Sequence, residues 1–318
     1  MKIREEAFQR YFYFIQERMN IFWKRYHEEL PPYSEDDIFQ HYKITNVYRI
    51  LDRVSQYLVK NVIYHPDIQT LWEEDVLLNI LLFKIFNKIE TWEQLFKQFW
   101  FFRVQNFNVE KITNFLSQLQ QAQPIFSFAY IMTGSASTYK GINKHQTWLQ
   151  MVEGEFIKKR KLKKLIDAKS LEEVYQIFLS APLIWGFLAY QYAIDMNYSP
   201  VINFSENDFV KAGIGAIRGI KKCFVDLEGE SYEDAIRRTQ EHFIQLQEKF
   251  GYTTFKNLFG RNPTLIDLQW CFCETDKYLR VRIPELTVGN VRIKQKFDKP
   301  KEKIEFFFPP KRKIAPNI

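Results

Sequence analysis

Between Val76 and Ile89 the apolar residues run almost all the way round a helical wheel: Leu77, Leu78, Ile80, Leu81, Leu82, Phe83, Ile85 and Phe86 leave no polar face. A helix of that kind has no side to offer water, which predicts a central buried helix with others packed around it. Asn87, near its end, is then a buried or rim polar group. The rest of the chain is compatible with a helical centre, because 11 Gly and 12 Pro in 318 residues leave little turn material for an all-β fold. Composition excludes disorder of the whole chain: 46% of residues are hydrophobic, 26% are charged, and the aromatic share is 17%.

Helical spacing recurs elsewhere. Glu5 to Leu30 places Phe8, Phe12, Ile15, Met19, Phe22 and Trp23 on one side and is stopped by Pro31-Pro32. Ser34-Glu35-Asp36-Asp37 can cap a helix from Ile38. Lys43 to Lys60 predicts an amphipathic helix with Val47, Ile50, Leu51, Val54 and Leu58 as its stripe. Its other face would carry Asn46, Arg49 and Arg53, fit either for a phosphate or base edge or for a surface ladder with Asp52. Thr91 to Gln94 has the form of a capping box opening a helix towards Phe102. The small polar residues between Ile125 and Tyr139 read as a loop. Further helices are expected over Thr147 to Leu165, Ser170 to Leu179, Ser231 to Phe250 ended by Gly251, and Asp267 to Leu279.

The expected fold is all-α: one helical domain over residues 1–283, of two lobes meeting near 130–150, then a short, basic, extended arm over 284–318. No internal repeat or long linker is visible.

Lys and Arg exceed Asp and Glu by 45 to 38, a net charge of +7 that suits a polyanionic partner. The run Lys158-Lys159-Arg160-Lys161-Leu162-Lys163-Lys164 and the arm with Lys294, Lys296, Lys299, Lys301, Lys303, Lys311, Arg312 and Lys313 concentrate it. Each is either a nucleic-acid contact or solvated surface. Three cysteines, Cys223, Cys271 and Cys273, form no paired framework and point to a reducing compartment. Five scattered histidines without an i,i+4 pair give no reason to expect a metal site. No signal core or membrane-length apolar run occurs, so the cytoplasm is expected, bacterial or phage-infected. Oligomeric state is open.

The stretch Ala181 to Phe224 joins an apolar helix to an acidic loop and a glycine run, Ala212-Gly213-Ile214-Gly215-Ala216-Ile217-Arg218-Gly219, entering a helix with Lys221 and Lys222. Glycines let backbone N–H groups approach an anion at a helix N-terminus, and Gly213, Gly215, Arg218, Lys221 and Lys222 would then hold a phosphate. A tight turn with close helix packing explains the same glycines. The dinucleotide fingerprint is not met, since the spacing is Gly-x-Gly-x-x-x-Gly and no good strand precedes it.

Several segments together resemble a known group, the helix-hairpin-helix, DNA-glycosylase-like domains of phage thymine hypermodification. These include the α-glutamyl/putrescinyl-thymine pyrophosphorylases, or amino acid:DNA transferases, and the helical domain attached to 5-hydroxymethyluracil DNA kinases. The segments are Thr45-Asn46-Val47-Tyr48-Arg49 with Asp52-Arg53-Val54-Ser55; Leu82 to Lys88 with Glu90-Thr91-Trp92; Phe187 to Gln191 with Asp195; Glu206 to Phe209 with Gly213 to Gly219; and Cys273 to Tyr278. Two departures stand out. Where such folds have Pro-Gly-apolar-Gly, this chain has Pro182-Leu183-Ile184-Trp185-Gly186, and bulky Leu183 and Trp185 would block a phosphate there unless the turn is shifted. No Gly-x-x-x-x-Gly-Lys-Ser/Thr run exists, so a kinase half would have to be a partner.

The resemblance implies a protein that flips a 5-substituted pyrimidine out of DNA. In its transferase form, an amine co-substrate displaces pyrophosphate from the 5-methylene carbon, and no cofactor is firmly implied. A carboxylate would deprotonate the ammonium: Asp208 first, with Asp195, Glu206, Glu274 and Asp276 in reserve. Lys277, with Arg49, Arg53, Arg218 and Lys221, would clamp pyrophosphate or backbone phosphate. Tyr130, Tyr190, Gln191, Asn87 and Tyr278 would line the base pocket. Plainer readings stay open: Asp208 could cap the following helix, and Lys277 could pair with Glu274. Two other functions are also open, a glycosylase releasing a modified base and a non-catalytic module that binds modified DNA for a kinase or nuclease.

Overall fold

The computed structural model of the protein describes residues 1–127, 134, 137–287, 293, 296 and 305–314. These residues are mainly α-helical, as the sequence predicts, and carry a single two-stranded sheet. In chain order the elements are β1 (Lys2–Ile3), α1 (Glu5–Tyr26), α2 (Asp37–His41), α3 (Arg53–Leu58), α4 (Glu73–Phe86), α5 (Ile89–Phe99) and α6 (Val109–Ala122). Then come α7 (Lys144–Met151), α8 (Lys161–Asp167), α9 (Leu171–Leu179), α10 (Gly186–Met196), α11 (Ile214–Cys223) and β2 (Phe224–Asp226). The last are α12 (Tyr232–Glu241), α13 (Phe243–Lys249) and α14 (Leu265–Arg282). The chain divides into two compact units, one of Met1–Asp52, Phe209–Phe306 and Ile314–Ile318, the other of Arg53–Asp208 and Phe307–Lys313. The boundaries fall at Asp52 and Asp208.

In the first unit α14 is the buried helix, packed on α1, α11 and α12. Thr264 opens it with a capping box to Asp267. Aromatic rings fill the space: Tyr11 stacks on Phe272 at 4.3 Å, and Phe8 meets Phe224 edge-on at 5.1 Å. β1 pairs antiparallel with β2, Lys2 opposite Asp226, tying the chain's start to the end of α11. Asp36 caps α2 as expected, its Oδ1 accepting from the Ile38 N–H at 2.9 Å.

The second unit is built round α4, buried from Asp75 to Phe86, as its apolar wheel requires. Two of its three interior polar side chains bind backbone: Asn79 exchanges hydrogen bonds with Phe102 N–H (2.9 Å) and C=O (2.8 Å), and Asp75 accepts from Val104 N–H at 2.7 Å. An unpaired buried amide would cost about 1–3 kcal/mol, so these bonds determine where the chain turns after α5.

Four local expectations are corrected. Lys43 to Lys60 is not one helix: residues 43–48 are irregular, Arg49–Leu51 is a 3₁₀ turn, and Asp52 is extended before α3, which passes into a π-helix over Val59–Ile63. Side chains replace the missing helical bonds, with Glu274 accepting from Thr45 N–H at 3.0 Å and Asp267 from Arg49 N–H at 2.8 Å. Thr91 lies inside α5 and does not cap it; its hydroxyl donates to Ile125 C=O at 2.9 Å. Residues 147–165 break into α7, a π-helix (Val152–Lys158) and α8, and residues 231–250 divide at His242 into α12 and α13.

The basic run is largely neutralised within its own unit. Glu155 accepts from Lys159 at 2.7 Å and Lys161 at 2.8 Å, Glu153 takes Lys158, and Asp167 takes Lys163. The described end of the C-terminal arm is likewise engaged. Phe307 N–H donates to Gln56 at 2.7 Å, Lys311 Nζ to Ile202 C=O at 2.6 Å, and Arg312 pairs with Glu206 at 3.1 Å. Lys311 and Arg312 are therefore not a free basic tail. Burial pushes the Lys311 ammonium down to about 7.

Candidate nucleic-acid interface and polar centres

The turn between α9 and α10 holds the residues that depart from the family pattern. Leu183 takes φ 72°, the left-handed backbone where glycine is usual, yet only 2% of it is exposed. Its side chain enters the core, and burial worth about 1.5–3 kcal/mol offsets a strain of about 1–3 kcal/mol. The expected block by Leu183 is thus absent. Trp185 precedes α10 and is 67% exposed, and Gly186 has open space where a Cβ would stand.

Along α10, Tyr190, Gln191 and Asp195 are all buried. The Lys84 ammonium of α4 lies 2.8 Å from Asp195 and donates to Asn87 Oδ1 at 3.2 Å. Asn87 adopts φ 47° and ends α4 in a left-handed cap. The structure therefore brings Asn87 and Asp195 together through a residue that sequence reasoning passed over. The available signal was a lone lysine in a helix apolar on every side. Tyr130 lies outside the described residues.

After α10, Asn197 holds the loop by bonds to Phe204 N–H (2.9 Å) and C=O (3.0 Å). Glu206 is buried against Arg312, which also lies over the Tyr198 ring. Asp208 is exposed in a turn, its N–H bonding Ser205 C=O at 3.3 Å. It does not cap α11, because the cap is Gly213, five residues on, and α11 has no side-chain cap.

In the first unit the glycine run is no hairpin; Gly215 and Gly219 lie within α11 and face α14. A Cβ on Gly219 would stand 2.0 Å from the Phe272 carbonyl oxygen, and one on Gly215 would stand 2.3 Å from Cys273 Sγ. Close helix packing accounts for both glycines. Lys222 is no surface clamp, being buried 2.9 Å from Asp276, which also takes Arg280. Lys277 binds Glu274 at 2.6 Å; burial alone would lower its ammonium, but the carboxylate holds it above the usual value. Tyr278 is fully buried and donates to Asp36 at 2.8 Å.

Two predicted cations remain available on α11. Arg218 and Lys221 stand three residues apart, and among the described residues neither has an acidic partner; Lys221 lies over the Tyr232 ring at 5.8 Å. The stripe of Asn46, Arg49 and Arg53 does not form. Asn46 donates to Leu51 C=O at 2.9 Å and Arg49 is buried, both in the first unit. Arg53, in the second, is exposed and 3.8 Å from Glu90. No group of three His, Cys, Asp or Glu able to hold a metal ion occurs among the described residues, and no described helix is long and apolar enough to cross a membrane.

Comparison with known proteins adds what geometry cannot. The sequence profile of the family described as "5-hmdU DNA kinase, helical domain" matches residues 5–288. A protein of Bacillus phage SP10 named 5-hmdU DNA kinase is 23% identical over 293 residues, covering 84% of this chain and 44% of its own length. The chain thus spans less than half the length of that relative. No solved structure matches it.

Proposed function

The chain belongs to the 5-hmdU DNA kinase helical-domain family, and from that premise we propose that it works on DNA carrying 5-hydroxymethyluracil or a base derived from it. The observation that carries this reading is the match over residues 5–288, nearly the whole chain. The kinase reaction is not assigned to this chain, which contains no Gly-x-x-x-x-Gly-Lys-Ser/Thr run. Arg218 and Lys221 are the cations proposed to meet backbone phosphate.

The finer reading is replacement of pyrophosphate by an amine. A C–N bond forms at the 5-methylene carbon as its C–O bond breaks, pyrophosphate leaves with the electron pair, and the ammonium proton passes to a carboxylate. Asp208 is proposed for that carboxylate, because it is exposed and caps no helix, whereas Asp195 and Glu206 are buried against cations. A base must reach the proton that it takes. The chain's match to only part of a longer relative favours a second reading, a module that binds modified DNA for a kinase.

One experiment separates these readings. The protein is incubated with 5-hydroxymethyluracil DNA, with and without its pyrophosphorylated form and an amine, and the digested nucleosides are weighed. A mass gain on the nucleoside supports transfer, binding without change supports the module, and neither binding nor change refutes the reading altogether.

A further inference from the structure

Trp100 occupies backbone that suits glycine. It follows α5 with φ 58° and ψ −147°, its N–H bonding Phe96 C=O at 2.8 Å. Side chains are strained in that region, and such strain gathers at ligand-binding places. The turn itself has a cause, since Phe101 and Phe102 must be buried and Phe102 must reach Asn79. That cause does not call for tryptophan, a residue that is 53% exposed here and packs as a core residue only in part.

The indole is nevertheless held in one orientation. It stacks on Phe96 at 4.5 Å and 28°, and the His65 ring meets it edge-on at 5.9 Å and 87°. His65 is itself framed by Phe96 at 5.4 Å and Phe101 at 5.1 Å. Three residues to either side, Lys97 and Arg103 are exposed, with no acidic partner among the described residues. Of the carboxylates on neighbouring segments, Glu90 faces Arg53 at 3.8 Å and Glu93 accepts from Tyr57, while the backbone N–H of Asp67 donates to His65 Nδ1 at 3.2 Å.

Trp100 is half exposed and held by Phe96, His65 and, edge-on at 5.9 Å, Phe101, and the chain carries an unneutralised cation three residues before it and another three after it; a base with its flanking phosphates suits that combination. We propose that Trp100 is a stacking platform for an unpaired base of a DNA strand, with Lys97 and Arg103 holding the flanking phosphates. The proposal rests on the reading that this chain works on DNA, and extends it to single-stranded or locally opened DNA.

The test is a fluorescence-anisotropy titration of the full chain with labelled oligothymidine, at several salt concentrations, beside a melting curve for each variant. Trp100→Gly relieves the backbone and is expected to melt at or above wild type, while binding the strand roughly 5- to 100-fold more weakly. Its salt slope is expected to stay unchanged, because no phosphate contact is removed. Trp100→Phe should bind within about threefold of wild type. The pair Lys97→Ser with Arg103→Ser should lower the salt slope by about 2. Unchanged affinity in a folded Trp100→Gly variant overturns the platform, and so does a lower melting temperature, which contradicts the strain. A wild-type chain that binds modified duplex but not the single strand also refutes the platform, leaving the proposed function standing. A wild-type chain that binds no DNA refutes both.

Discussion

The Lys84 ammonium lies 2.8 Å from the Asp195 carboxylate, with 5% and 1% of the two side chains exposed. The pair joins α4 to α10 inside the second unit. A charge buried so deeply is tolerable only while its counter-charge is present. Asp195→Asn should therefore cost about 3–5 kcal/mol of stability, and replacing both partners by apolar residues of similar volume should recover most of it. Thermal melts of the single and double variants check this; a single variant that melts like wild type would exclude a structural role for the pair.

Asp208→Asn changes an exposed carboxylate that caps no helix. Stability should stay within about 0.5 kcal/mol of wild type. Nucleoside mass analysis is expected to show amine transfer lowered by about 100-fold or more, with DNA affinity retained. Undiminished transfer would remove Asp208 from the mechanism.

Adjacent lysines on α11 should behave oppositely. Lys221→Ala is expected to weaken binding to all DNA sequences alike and to lower the salt slope by about 1, with little change in melting temperature. Lys222→Ala strands the buried Asp276 with Arg280 alone and should cost about 3 kcal/mol or more. Equal salt slopes for Lys221→Ala and wild type would remove that phosphate contact.

Gly219→Ala places a methyl against the Phe272 carbonyl and should cost about 1–3 kcal/mol as α11 is forced from α14. Gly215→Ala should cost less, because the atom it meets is the tip of Cys273, which can turn aside. Denaturant unfolding ranks the two, and the reverse order would contradict the packing described.

Burial by itself would raise the Glu155 carboxyl, but hydrogen bonds from Lys159, Lys161 and Tyr139 hold it down at about 2, below the ordinary 4.5. A carboxyl depressed in the folded state contributes stability that is complete above the unfolded value and is lost as pH falls towards the folded one. Melting temperature should drop between about pH 4.5 and about pH 2. The fall should be shallower in Glu155→Gln; parallel curves would show that Glu155 has no part in it.

Much of the helical plan was legible because it depends on side chains close in sequence. The apolar wheel of α4, the Asp36 cap, the helix starts at Ser170 and Ser231, and the stop at Gly251 depend on residues within a turn or two, and each appears where expected. The break at residues 43–52 was hidden because Glu274 and Asp267, more than 200 positions away, supply the bonds that replace helix.

The same difference in range separates the candidate site's chemistry from its geometry. By itself the sequence determined an all-α class, a basic chain and the residues that carry a family likeness, since composition, periodicity and motif are local properties. Only the tertiary structure decided which charges are buried and which stay at the surface. It buried Lys222, Asp195 and Glu206 against partners, half-buried Lys277 against Glu274, and left Asp208, Arg218 and Lys221 exposed or partly so. The reason is desolvation: burial of a charge is tolerable only beside its complement, and that complement comes from wherever the fold brings it.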